Sequence, residues 1–139
     1  MPRCRVYYHV VFATKGRQPL LTPSWRLEMT QLLRQKAVAL HCVVHAIHVQ
    51  PDHVHLALSI PPAQPVATVI GQIKGSSSYA INHATPRQEA FGWQLGYGLF
   101  TCSERHSPDL VGSIEHQDDH HARFTTIAAY EPIDEDERP

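Results

Sequence analysis

Cysteine is scarce in this chain of 139 residues, and its three copies, Cys4, Cys42 and Cys102, lie far apart. An odd number with no Cys-x-x-Cys pair excludes a disulfide frame and a thiolate zinc knuckle, and the three read as reduced thiols of a cytoplasmic protein. No apolar run approaches the roughly 20 residues of a membrane span. None near the N-terminus is followed by a small-residue cleavage site, so neither a membrane anchor nor a signal peptide is expected. Acidic residues are nearly missing from the first part of the chain. Residues 1–88 hold Glu28 and Asp52 against nine Lys/Arg, a balance of +7, while residues 89–139 hold eleven acids against three Lys/Arg, a balance of −8. The net charge of −1 therefore hides a basic part suited to a polyanion. The acidic remainder excludes a wholly nucleic-acid-binding surface. The eleven histidines add positive charge only below about pH 6.5.

What is present has the punctuation of a single small domain over residues 1–130, followed by an acidic, flexible tail over 131–139. Arg5 to Thr14 alternates branched and aromatic residues and is apolar on both faces, which predicts a central strand. Lys15 to Pro19 is a basic turn. Thr22 with Pro23 opens a helix whose stripe is Trp25, Met29, Leu32, Leu33, Lys36 and Leu40. Cys42 to Val49 and His53 to Ile60 read as two strands of a hairpin turning at Gln50-Pro51-Asp52, and Pro61-Pro62 stops the second. A second helix from about Pro65 carries Val66, Val69, Ile70, Ile73, Ser77 and Ile81 on one face, with Gln72, Lys74, Ser76 and Ser78 on the other. Trp93 to Ser103 reads as a strand loosened by Gly96 and Gly98, and a last helix is expected from Pro108 to about Ala122. The order β, α, β, β, α, β plus a terminal helix predicts an α+β, ferredoxin-like (split βαβ) antiparallel sheet, with helices on one face and a C-terminal helix added.

The stretch with the most chemistry is Gln-Pro-Asp-His-Val-His-Leu-Ala-Leu-Ser-Ile, residues 50–60. On a strand, His53 and His55 share a face and Val54 takes the other, with Cβ atoms about 6.6 Å apart. One divalent cation can bridge that span, and two imidazoles leave most of its positions open, as metal-assisted phosphodiester chemistry requires. The alternative is a pair of half-buried strand histidines. His116 and His120, spaced i, i+4, form a weaker potential metal pair, with a solvated helix end as the commoner explanation. Other histidine-rich sites fit less well. Ala57 stands where a histidine-triad hydrolase would place a third histidine, and the stretch after His55 lacks the acid and histidine of a metallo-β-lactamase-type site.

Four stretches together resemble the tyrosine HUH transposases of small single-strand insertion sequences, the IS200-like transposase superfamily, related to REP-associated tyrosine transposases. They are Tyr8 to Lys15, Pro51 to Leu56, Ile73 to Ser77 and Phe91 to Gly98, in order and correctly spaced. The resemblance implies single-strand DNA cleavage and joining at hairpin ends, with one divalent metal, Mg²⁺ or Mn²⁺. It implies a homodimer and a single-stranded or hairpin DNA partner, with Lys15, Arg17 and Lys74 as candidate phosphate contacts. In such enzymes the C-terminal helix carries a nucleophilic tyrosine and, four residues on, a glutamine that joins the two histidines as a metal ligand. Gln117 matches that glutamine, but Ser113 stands at the nucleophile position. An aliphatic hydroxyl is far less acidic than a phenol and shorter by a ring. Tyr97 belongs to a matched strand motif and Tyr130 lies well beyond the helix, so neither is an obvious substitute. Two functions follow: a transposase with its nucleophile replaced, or an inactive, domesticated or decaying hairpin-DNA-binding protein.

Overall fold

The computed structural model describes residues 6–84, 90–103 and 106–115. Its elements are β1 (Tyr7–Ala13), a 3₁₀ turn (Lys15–Arg17), α1 (Pro23–Ala39), β2 (Val43–Val49), β3 (His53–Ser59), α2 (Val66–Ala84), β4 (Gly98–Cys102) and α3 (Ser107–Glu115). The strands form one antiparallel sheet in the order β2-β3-β1-β4. This is the expected α+β, ferredoxin-like arrangement, with β1 and the histidine strand in the middle.

Alternation along the strands divides the sheet into two unlike faces. Val10, Phe12, Val54, Leu56 and Leu58 point to one side and pack with Met29, Leu33 and Ala37 of α1 and with Val69, Ile70, Ile73 and Ile81 of α2. Met29 to Leu33 to Ala37 is a step of four, which holds one face of α1 on the sheet. The apolar stripe predicted for α1 is thus the core face, with Trp25, Leu32 and Leu40 at its margin. Thr22 takes the cap position, but its hydroxyl pairs with that of Ser24 at 3.0 Å and makes no bond to the backbone. The other sheet face carries His9, Ala46, His53, His55 and Ala57. It is partly covered by α3, whose Ile114 packs on Ala46 and Ala57 with Leu110 and Val111 beside it.

The expected strand at 93–103 is shorter than its sequence suggests. Only Gly98–Cys102 pairs continuously with β1, while Trp93 meets Thr14 in a single bridge. Between them Gly96 takes φ 82°, a left-handed conformation that costs glycine little and interrupts the ladder. Side chains of α2 replace the lost pairing. Lys74 donates to the carbonyls of Gln94 and Gly96, both at 2.7 Å, Trp93 Nε1 donates to Ser77 Oγ at 3.0 Å, and Asn82 exchanges two bonds with Phe91. Replacing Lys74 by Met, which keeps the stem and removes the charged donors, should cost about 2 kcal/mol. Urea unfolding of the variant measures that loss.

No helix among the described residues is long and apolar enough to cross a membrane. The expected continuation of the last helix to Ala122 and the acidic tail at 131–139 lie outside the described residues.

Candidate metal and DNA site

The hairpin that presents the histidines is fixed at both ends of its turn. Thr14 reaches Asp52 through its backbone N–H, at 2.8 Å, and through its hydroxyl, at 3.1 Å to the same carbonyl. Leu21 N–H donates to the Pro51 carbonyl at 3.0 Å. Gly16 and Arg17 both have left-handed φ, 64° and 52°, and curl the basic turn back over Pro51-Asp52. Arg17 thereby comes within 4.0 Å of the Asp52 carboxylate. The left-handed region is unfavourable for arginine, so the staples on either side hold the turn in this shape.

His53 and His55 lie on the same face of β3, as their spacing predicts, with ring centroids 5.0 Å apart and planes at 72°. Both are buried, His55 completely. Each ring is held through Nδ1. His53 Nδ1 lies 2.7 Å from Asp52 Oδ1, and His55 Nδ1 lies 2.9 Å from Nε2 of His9. The hydrogen bond from His53 is the largest influence holding the Asp52 carboxyl below its ordinary range, aided by the nearby Arg17 charge and opposed by burial. An ionised carboxylate only accepts, so His53 Nδ1 carries a proton, and in the neutral ring Nε2 then carries the lone pair. A carboxylate behind a histidine is the usual support of a metal-ligating imidazole.

Alternation along β1 puts His9 on one face with Tyr7 and Val11. The register Val11 to His55 and His9 to Ala57 makes that face the histidine face. His9 is buried between His55 and Phe100, with ring centroids at 5.1 and 5.9 Å, and burial lowers its pKa from 6.5 to about 4. His9 and Asp52 are the two site residues that the sequence did not mark. Asp52 had a visible signal, an acid directly before the His-Val-His run, but read as a turn residue. His9 lies inside the matched stretch Tyr8 to Lys15, but nothing local gives it a role, since that role depends on strand pairing.

The structure brings Arg17, His53 and His55 into one region, with Lys15 exposed on the same turn as Arg17. It does not bring Lys74 there. That ammonium lies 5.5 Å from the centre of the Phe12 ring, on the α1/α2 side of the sheet, and bonds the two loop carbonyls. Ser113 is in α3, one residue before the Ile114 that anchors this helix on the histidine face, and is half-buried. Gln117, His116, His120 and Tyr130 lie outside the described residues. Tyr97 packs against the core on the α1/α2 side, as does Tyr8, and Tyr79 is exposed on α2. Tyr7 does share the histidine face, but four residues along β1 from the row of His55, about 13 Å away. Among the described residues, then, no tyrosine adjoins the histidine pair. No group of three or more His, Cys, Asp or Glu among them is set to hold a metal, so a cation here needs a ligand beyond the two histidines.

A ferredoxin-like sheet with a His-hydrophobic-His pair on an inner strand is the HUH class of architecture. The chain belongs to the IS200-like transposase family: the family model described as "Transposase IS200 like" matches residues 3–117. It is 30% identical over 117 residues to the ISDra2 transposase TnpA of Deinococcus radiodurans, covering 81% of this chain and 84% of that protein. It is 32% identical over 121 residues to the transposase for insertion sequence element IS200 of Salmonella typhimurium, covering 79% and 75%. A crystal structure described as a transposase of Deinococcus radiodurans R1 superposes with a TM-score of 0.67 at 26% identity, over 84% of this chain and 93% of that one. A REP-associated tyrosine transposase bound to a REP hairpin superposes at 0.63 over 89% and 74%. At 15% identity that second likeness is one of fold.

Proposed function

We propose that this protein binds single-stranded hairpin DNA and one divalent cation, Mg²⁺ or Mn²⁺, on His53, His55 and Gln117. The family's nucleophile position is occupied by Ser113, so cleavage through a phosphotyrosine at that position is lost. The observation that carries the reading is the pair of buried imidazoles on one face, each supported at Nδ1 so that any metal bond uses Nε2. A cation bound there would polarise a phosphate oxygen of the DNA. The chain's own residues do the rest. Asp52 orients His53, and Ile114 docks α3 so that position 113 belongs to the element covering the histidine face. Lys15 and Arg17, on the turn stapled to the histidine hairpin, are the phosphate contacts this geometry favours, while Lys74 serves the loop at 94–96. The REP-associated relative, solved with a hairpin, supports the choice of DNA form. A homodimer is part of the reading, and the mass of the protein in solution checks it.

Titrating a labelled hairpin at two salt concentrations tests the DNA part. Affinity should fall by about 0.7 log units per log unit of salt for each single-strand phosphate contact, and Lys15→Ala and Arg17→Ala should each reduce that slope by about one contact. Equal affinity at both salt concentrations, or no binding at the lower one, refutes it. The catalytic version of the same reading, with a tyrosine such as Tyr130 supplying the nucleophile, predicts a covalent adduct with the unmodified protein.

A further inference from the structure

We infer that His9 is a positioning residue for the proposed metal site: its Nε2 accepts a hydrogen bond from His55 Nδ1–H and so fixes His55 in the tautomer whose Nε2 bears the lone pair. The inference rests on the reading that His55 is a metal ligand, but its central claim concerns a proton within the protein. The 2.9 Å contact joins two ring nitrogens, one of which must donate. If His9 donated, a neutral His55 would accept at Nδ1 and carry its proton on Nε2, where it blocks a metal bond. If His9 accepts, His55 Nδ1 is protonated and Nε2 can ligate, and a neutral His9 then carries its own proton on Nδ1. Only the second arrangement matches that of His53, whose Nδ1 donates to Asp52. The two ligands would then have different supports, a carboxylate for one and a neutral imidazole for the other.

The setting of His9 holds this arrangement in place. The residue is buried on a central strand, its ring is confined between His55 and Phe100, and its plane lies 26° from that of His55. Ala57, its neighbour on β3, is small enough to leave the imidazoles in contact, and Ile114 closes over Ala57 from α3. A neutral support also adds no charge to the site, unlike a second carboxylate, which would increase the affinity for cations but repel the phosphate they are to meet.

Two measurements on the full chain test the inference. Long-range ¹⁵N–¹H correlation spectra of the metal-free protein at neutral pH report which ring nitrogen of His55 is protonated. The expected result is Nδ1–H in the wild type and in His9→Gln, whose amide oxygen can accept the same proton. In His9→Phe, which keeps a ring beside Phe100 but no acceptor, the Nε2–H form preferred by free imidazole should return. Mn²⁺ titration followed by electron paramagnetic resonance should show affinity reduced about 10- to 100-fold in His9→Phe and restored in His9→Gln. Circular dichroism confirms that each variant is folded, and the wild-type spectrum stands as a test should His9→Phe fail to fold. Nε2–H on wild-type His55, or wild-type Mn²⁺ affinity in His9→Phe, overturns the role of His9. Wild-type Mn²⁺ binding no tighter than that of His55→Ala, with the Nδ1–H form present, instead overturns the metal reading and leaves the hold of His9 on His55 standing.

Discussion

Ser113→Tyr should form a 5′-phosphotyrosine adduct with hairpin DNA in the presence of Mn²⁺, and the unmodified protein is expected to form none. The reasoning is chemical. A phenol ionises near pH 10 and projects its oxygen a full ring farther than serine does, so it can both reach and attack a phosphate held by the histidine site. Serine lacks the reach, and its hydroxyl attacks only when a base takes its proton. Position 113 is half-buried and precedes the Ile114 that docks α3 on the histidine face. Gly112 beside it costs the helix about 1 kcal/mol relative to alanine. Denaturing gels of labelled hairpin with wild type, Ser113→Tyr, and Ser113→Tyr combined with His55→Ala give the result. The expected pattern is an adduct in the second alone. An adduct with wild type assigns the nucleophile to a tyrosine elsewhere or to Ser113 itself. The absence of an adduct from every variant means that the site has lost more than one residue.

The second large effect concerns acid stability. Burial lowers the pKa of His9 to about 4, against 6.5 in the unfolded chain. The folded state therefore binds fewer protons than the unfolded state between these values, and stability falls as the pH is lowered from about 6.5 to about 4, then levels off. The full difference amounts to about 3 kcal/mol, from 1.36 kcal/mol per pKa unit. Asp52 acts in a separate window. Its carboxyl is held below the ordinary 3.8 chiefly by the hydrogen bond from His53, so the stability it contributes is present above that value and is lost only at more acid pH. Urea unfolding from pH 7 to pH 4, with a chelator present, should show the wild-type decline, and His9→Phe should remove most of it whatever its stability at pH 7. An unchanged slope in that variant would place the acid sensitivity in other groups. A loss of about 3 kcal/mol raises the ratio of unfolded to folded protein by more than about 100-fold between pH 7 and pH 4, which the denaturation midpoint reads directly.

The strands, the two core helices and the histidine pair are decided by local pattern. Alternation put His53 and His55 on one face because the period of a strand is two, whatever the strand pairs with. The steps of three and four in α1 and α2 likewise determined which residues meet the sheet, and Pro61 and Gly96 marked where ladders stop. The sequence alone also showed serine at position 113, a matter of residue identity and spacing. The supports of the site are of another kind. Nothing local distinguishes His9 from Tyr7 or Val11 on an apolar strand; it became a partner of His55 only when β1 paired with β3 in one register, and a slip of one residue would have sent it to the opposite face. The same pairing and the stapled turn placed Arg17 beside Asp52, while Lys74, basic and well spaced in the sequence, was drawn to two carbonyls on the far side of the sheet. Side-chain identity and period are properties of a segment. Which groups share a proton or a charge depends on distances between segments, and only the folded sheet sets those.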